Sequence, residues 1–282
     1  MSRTIKLSSR PTQEFWEIEV LFEDEHLLAL NKPPALLTSP DRYDPTRPNL
    51  MRLLHSGIAE AKPWATERGL TYLANAHRLD FETSGVILLA KTKPALVKIA
   101  DQFGADKPRK IYVALVAGSP SSASWEINAS IGPHPTRLGL MRVDPKQGKK
   151  ARTTFSVRER FRGYALIECR PVTGRTHQIR VHLKHSGIPI CGDRNYGGRP
   201  LLLSRLKPNY RLKEGREERP LISTMALHAE ELMLSHPITG QPVTITAPLP
   251  KALTVAVRYL QRYSGPIGPP GEFDIDHIDH GK

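Results

Sequence analysis

His77-Arg78-Leu79-Asp80 is followed by Thr83-Ser84-Gly85 and then by the apolar run Val86 to Ala90. A carboxylate thus stands two residues from a guanidinium, in a polar loop that runs directly into a strand. A held, ionised carboxylate acts as a nucleophile or a general base. Nearby cations and hydrogen bonds favour its charged form, and Arg78, Thr83 and Ser84 offer both. The plain alternative is a turn-forming aspartate ahead of a strand.

A second concentration of chemistry is Thr173-Gly174-Arg175-Thr176-His177-Gln178-Ile179-Arg180-Val181-His182. It reads as a helix over Thr176 to His185 that stops at Ser186-Gly187. Helical geometry puts His177 and Arg180 on one face, and Gln178, His182 and His185 on another. The planar fork of Arg180 suits a buried carboxylate. His182 and His185 have a spacing that permits a metal, but no Cys stands nearby and a third ligand is lacking. They read as hydrogen-bonding histidines. In Lys110 to Val116, strand alternation puts Lys110, Tyr112 and Ala114 on one face. Tyr112 there is either core packing with its hydroxyl at the edge or a stacking platform for a base; spacing leaves both open.

These residues need a frame. Ile18 to Phe22 and Leu27 to Leu30 read as a hairpin closed by Glu23-Asp24-Glu25-His26, and Asn31-Lys32-Pro33-Pro34 ends it. Leu50, Leu53 and Leu54 mark a helix within Asn49 to Ile58. Val86 to Lys91 reads as a buried strand, and Pro94 opens an amphipathic helix through Phe103. Thr153 to Val157, Tyr164 to Cys169, Leu227 to Leu234 and Val243 to Thr246 read as strands, and Leu253 to Tyr263 as a closing helix. This irregular order predicts a mixed α+β architecture rather than a doubly wound sheet.

Charge narrows the targets. The 282-residue chain carries a net charge of +13, with a pI near 9.9. Such an excess favours a phosphate backbone or an anionic membrane surface. Between Arg137 and Arg162, nine Lys/Arg, among them Lys149, Lys150 and Arg152, face only Asp144 and Glu159; a second basic cluster spans Arg205 to Arg219. Either cluster also reads as a solvated surface loop. No apolar run approaches the roughly 18 residues that span a bilayer. Met1 to Gln13 lacks the apolar core of a secretory signal. Cys169 and Cys191 have no metal-ligand spacing and suit small core positions in a reducing cytosol. Asp274, Asp276, His277, Asp279 and His280 sit in a Pro/Gly-rich terminal stretch, a poor metal cage.

Taken together, the motifs resemble the RluA-type family of RNA pseudouridine synthases. His77-Arg78-Leu79-Asp80 with Thr83-Ser84-Gly85 and Ala90-Lys91-Thr92 is similar to the family's catalytic motif, Lys110-Ile111-Tyr112 to its tyrosine motif, and Gly174 to His182, continuing to Gly192-Asp193, to its arginine motif. Leu30-Asn31-Lys32-Pro33, Leu227-His228-Ala229 and His236-Pro237-Ile238-Thr239-Gly240 extend the similarity from about Val20 to about Pro250 in family order.

The resemblance implies a catalytic fold with a long, mostly antiparallel mixed sheet, flanking helices and a central cleft. It implies conversion of uridine to pseudouridine in structured RNA, rRNA or tRNA, without cofactor or metal, by a cytoplasmic monomer that does not use a membrane. By position, Asp80 is the catalytic aspartate, Tyr112 stacks on the target uracil or takes its C5 proton, and Arg180 pairs with Asp80. Arg78 helps hold the RNA open; His77, Lys110, Arg175, His177, Lys149, Lys150 and Arg152 complete the expected RNA contacts. The implied division is an N-terminal extension over 1–17, a catalytic domain over 18–263 and a flexible tail over 264–282. About twenty residues precede the catalytic segment, too few for the S4-type module of many relatives, so recognition is expected from the catalytic domain itself. A non-catalytic RNA-binding factor on the same fold, and a metal-dependent nuclease using the histidines and acidic tail, are the competing expectations.

Overall fold

Apolar runs separated by turn signals become strands wherever both faces find a partner layer. The computed structural model describes residues 3–41, 44–212 and 215–265. Its elements run β1 (Thr4–Ser9), β2 (Glu14–Glu23), β3 (Leu27–Lys32), α1 (Leu50–Ala59), α2 (Pro63–Thr66), β4 (Ala74–Asn75), β5 (Ser84–Ala90), α3 (Lys93–Gly104), β6 (Arg109–Ala117), β7 (Ser124–Asn128), β8 (Ile131–Pro133) and β9 (Met141–Val143). They continue as β10 (Arg152–Phe161), β11 (Tyr164–Pro171), α4 (Gln178–His185), β12 (Leu227–Ser235), β13 (Pro242–Thr246) and α5 (Lys251–Ser264). Eleven strands form one sheet in the order β1-β2-β3-β5-β12-β6-β11-β10-β7, with β4 on β5 and β13 on β12. β8 and β9 form a separate hairpin. The architecture is α+β, with a mostly antiparallel sheet.

β3 and β5 are buried on both faces, which their continuous apolar sequences require. Leu28, Leu30, Ile87 and Leu89 face Leu50 and Leu54 of α1, while Leu27, Ala29, Val86, Leu88 and Ala90 face Ala95 and Ile99 of α3. Asn49 caps α1 by accepting the Arg52 N–H, and Thr92 caps α3 by accepting the Ala95 N–H. In the other half, Ile179 and Leu183 of α4 and Leu253, Ala256 and Leu260 of α5 pack on β6, β10 and β11. Each buried leucine contributes about 1.5–3 kcal/mol relative to exposure.

The two halves meet at one parallel contact. β12 pairs with β5 only at His228↔Ser84 and Ala229↔Gly85, then turns its edge to β13. Gly85 makes this possible: its φ is +110°, and a Cβ there would lie 2.1 Å from the Ala229 carbonyl oxygen. The Ser84 hydroxyl and His228 Nδ1, 2.9 Å apart, lock the same joint. The loop ending in Asp80 enters the sheet immediately before it.

Three features depart from the sequence reading. Thr4–Ser9, placed in an N-terminal extension, form the edge strand β1, because Ile5 and Leu7 alternate into the core. α2, β4, β7, β8 and β9 were not foreseen; they are short, and β8 and β9 form the small separate hairpin. The helix expected from Thr176 begins at Gln178, because His177 adopts a left-handed conformation at φ 55°. Ser264 still belongs to α5. The rest of the expected tail from 266 onward, with its Asp and His residues, lies outside the described residues.

Candidate active site

Asp80 is held by its neighbours' backbone before its side chain meets anything. Thr38 clamps Leu79: its hydroxyl donates to the Leu79 carbonyl at 3.0 Å and accepts the Leu79 N–H at 3.2 Å. The Thr83 N–H donates to the Asp80 carbonyl at 3.2 Å. His77 Nε2 accepts the Leu88 N–H of β5 at 2.9 Å, and its ring stacks on Phe103 at 4.7 Å. Burial, with Lys110 adding to it, pushes the His77 imidazole down to about 3, so it stays neutral and remains an acceptor. His77 therefore anchors the loop to the strand while it also lines the pocket.

The Asp80 carboxylate meets α4. Arg180 Nη1 donates to Asp80 Oδ2 at 3.1 Å, and the Arg180 Nε and Nη2 grip the two oxygens of Asp193 at 2.8 and 3.0 Å. Arg180 is 5% exposed and Asp193 fully buried. Asp193 thus fixes the fork in a bidentate pair and leaves one arm for Asp80. α4 is positioned in turn by buried Gln178, whose amide donates to the Arg152 carbonyl and the Thr153 hydroxyl at 2.9 Å each. The Gln178 carbonyl oxygen accepts from the Thr173 hydroxyl and the Arg175 N–H. His182 is likewise satisfied, with Nδ1 on Thr153 Oγ1 and Nε2 on the Ala129 carbonyl. Among the described residues no group of three or more His, Cys, Asp or Glu is placed to hold a metal ion, and no helix is long and apolar enough to cross a membrane.

Asp80 Oδ2 is engaged, whereas Oδ1 has no hydrogen-bond partner among the described residues. Oδ1 belongs to a side chain that is 18% exposed, in a pocket of about 320 Å³, within the range of small-ligand sites. Burial alone would raise the Asp80 carboxyl, but His177, Arg180 and Arg78 outweigh it and hold it below the usual carboxylate range. Burial and the Asp80 charge push the Tyr112 phenol up, so it is neutral. Arg78, His77, Lys110, Tyr112, Arg175 and His177 line this pocket with Asp80 and Arg180. Arg78 is exposed at its mouth. Lys149, Lys150 and Arg152 are exposed and outside the pocket wall; the Arg175 Nε donates to the Lys150 carbonyl at 3.0 Å, tying the basic segment to the site.

Sequence reasoning assigned no role to three residues here: Lys32, Asp193 and Tyr196. Lys32 is fully buried, and its ammonium donates to the Pro33, Leu36 and Phe81 carbonyls at 2.8, 2.7 and 3.3 Å. It therefore straps down the residue after Asp80. Burial drives its pKa from 10.5 to about 7, against the upward pull of Asp80. The folded protein then binds fewer protons than the unfolded chain between pH 7 and 10.5, so this lysine makes stability rise with pH across that window. The gain is on the order of 2 kcal/mol between pH 7 and 9. Chemical denaturation at the two pH values is expected to show that gain in the parent protein, beyond whatever Lys32→Met shows. Parallel pH dependences in the two proteins would mean that Lys32 is not the titrating group.

Residues 26–185 match the family model described as RNA pseudouridylate synthase. The chain is 37% identical over 242 residues to "Ribosomal large subunit pseudouridine synthase D" of Xylella fastidiosa, covering 84% of this chain and 67% of that protein. It is 33% identical to the protein of the same name from Vibrio parahaemolyticus, covering 93% of this chain and 78% of the relative. The solved structure "Human RNA Pseudouridylate Synthase Domain Containing 1" superposes with a TM-score of 0.62 at 25% identity, over 91% of each chain. Asp80, Tyr112 and Arg180 all lie inside the matched span, on three segments that the sheet joint brings to one pocket. The chain belongs to the RluA-type family of RNA pseudouridine synthases.

Proposed function

We propose that this enzyme converts specific uridines of ribosomal RNA to pseudouridine, by extruding the target base into the pocket and using Asp80 to assist exchange of the glycosidic bond. One observation carries the mechanism: Asp80 lines the pocket, is held in its charged form by its neighbours and is pinned through Oδ2 by Arg180, while Oδ1 has no hydrogen-bond partner among the described residues. The reaction breaks N1–C1′, turns the uracil and forms C5–C1′; the C5 proton leaves and N1 gains one. Asp80 assists by attack on C1′, addition at C6 or removal of the C2′ proton. Each begins with an ionised carboxylate oxygen in a site with little water, the state that Arg180 and Asp193 maintain.

Tyr112, held protonated, suits a platform on which the uracil stacks better than a base. A uridine within a helix cannot present C1′ and C6 to a carboxylate, and flipping it out costs a few kcal/mol, less in a loop. Exposed Arg78 stands where it can fill the vacated space. Lys149, Lys150 and Arg152 supply phosphate contacts whose electrostatic gain offsets the unstacking. Ribosomal RNA is favoured over tRNA because the curated relatives reported above are named for the large ribosomal subunit. The unit that works is a cytoplasmic monomer.

Carbodiimide adducts on pseudouridine stop reverse transcription. Mapping total RNA from cells with and without the gene is expected to show at least one stop in large-subunit rRNA that depends on the gene and that the purified protein restores on a transcript. Stops confined to tRNA would overturn the substrate, and no gene-dependent stop would overturn the function.

A further inference from the structure

His177 occupies a position that its backbone disfavours. Its φ of 55° lies in the left-handed region, and its side chain does not cap the helix it precedes. Few non-glycine residues adopt this conformation, Asn, Asp and His more readily than the rest. The side chain that justifies this strain is built into a chain of contacts. The Met141 N–H donates to the Tyr196 hydroxyl at 2.9 Å, and that hydroxyl lies 2.7 Å from His177 Nδ1. In the Nε2–H tautomer the hydroxyl accepts from the Met141 amide and gives its own hydrogen to Nδ1, so both of its roles are filled. The imidazole proton then sits on Nε2, which points at Asp80 Oδ2 from 3.9 Å.

The same Tyr196 ring lies under the Arg180 guanidinium at 4.7 Å and meets the His177 ring edge-on at 5.6 Å. Tyr196 therefore orients both groups that face the engaged oxygen of Asp80. Its own anchor, Met141, belongs to β9. The β8–β9 hairpin carries Arg137 in its turn and Arg142 beside Met141, and Lys149 bridges back to Ile131.

We propose that His177 is a positioning residue for Asp80, with its tautomer set by Tyr196 from the backbone of the basic β8–β9 hairpin, so that the element suited to grip the RNA backbone also steadies the catalytic carboxylate. The inference rests on the function proposed above. Closing 3.9 Å to hydrogen-bond range takes a shift of under 1 Å in a ring already hinged on Tyr196. RNA seated against the hairpin supplies that shift through Met141, giving Oδ2 a second donor and keeping Oδ1 for the substrate. The groups whose charge bears on the imidazole are Asp80, Arg180, Asp193 and Arg78. Burial keeps the ring neutral, with Asp80 pulling the other way.

Tyr196→Phe keeps the ring under Arg180 and deletes only the hydroxyl. His177→Asn keeps a residue that tolerates the left-handed backbone and deletes the imidazole. Single-turnover rates at saturating enzyme are expected to fall about tenfold in each, with the RNA Kd within twofold of the parent. In Tyr196→Phe, Nδ1 loses the donor that favours the neutral ring, so the imidazolium forms more readily, keeps Asp80 ionised further into acid, and moves the acid limb of the pH–rate profile to lower pH. In the double variant the loss is no larger than in either single variant, since both act through one chain. Parent-like rate and pH profile in either folded variant, a loss confined to Kd, or additive losses in the double variant would overturn the proposal. Failure of the underlying function is distinguishable, because the parent protein itself would then form no pseudouridine.

Discussion

Asp80→Asn is expected to bind RNA as tightly as the parent, or more tightly, and to lose turnover by at least about 10⁴-fold, the scale for removing a nucleophile or its base in other enzymes. The substitution is isosteric, so the Thr38 clamp on Leu79, the Lys32 strap on Phe81 and the Thr83 bond to the Asp80 carbonyl are untouched. What disappears is the charge. An amide cannot add to carbon or accept a proton at neutral pH, and one fewer anion faces the phosphates. Turnover is read by release of label from RNA carrying tritium at uridine C5, since that hydrogen leaves as C5–C1′ forms; affinity is read separately by filter binding. The pH dependence has a definite sign. The Asp80 carboxyl lies below the ordinary range, so its contribution to activity is complete above that range and fades only as pH falls through the depressed value. Retained turnover in Asp80→Asn would remove the carboxylate from the chemistry.

What the sequence made legible was local. Alternation and punctuation located β3, β5, β6, β11 and β12, because their apolar runs are continuous and bounded by Pro, Gly or charged turns. They located α1 through the helical spacing of Leu50, Leu53 and Leu54, and α3 through Pro94 in its first turn. β1 escaped because its inward residues, Ile5 and Leu7, are only two in a polar stretch, and an edge strand needs burial on one face alone. The N-terminus of α4 was misplaced by two residues: nothing in the letters Thr176-His177 announces a left-handed histidine. The site followed the same rule. Asp80 and Arg180 stand 100 residues apart, and motif resemblance paired them where spacing could not. Lys32 was seen as the end of a hairpin. Its burial under the Phe81 carbonyl depends on a loop 49 residues away. Tyr196 gave no periodic signal at all, since it sits in a short turn after Asp193 and matters only through what folds against it.

Asp193→Asn is expected to destabilise the protein by about 3–5 kcal/mol, the range for leaving one member of a buried ion pair uncompensated. Asp193 is fully buried and takes two of the three donated bonds from a guanidinium that is itself almost buried. With that charge gone, Asp80 is the one carboxylate still paired with Arg180 among the described residues, through one arm and one oxygen. Arg180 is then free to slide toward Asp80 and occupy Oδ1 as well, so activity falls with stability. A second pair of substitutions separates the two effects. Replacing Arg180 by Met and Asp193 by Leu together removes both charges, and buried pairs exchanged for apolar residues are often neutral or better. The double variant is therefore expected to regain most of the lost stability in urea unfolding while remaining inactive, because Asp80 has lost its cation. If Asp193→Asn unfolds at the parental urea midpoint, Asp193 does not hold the guanidinium in place, and the rigid Oδ2 anchor on which the chemistry depends must be sought elsewhere.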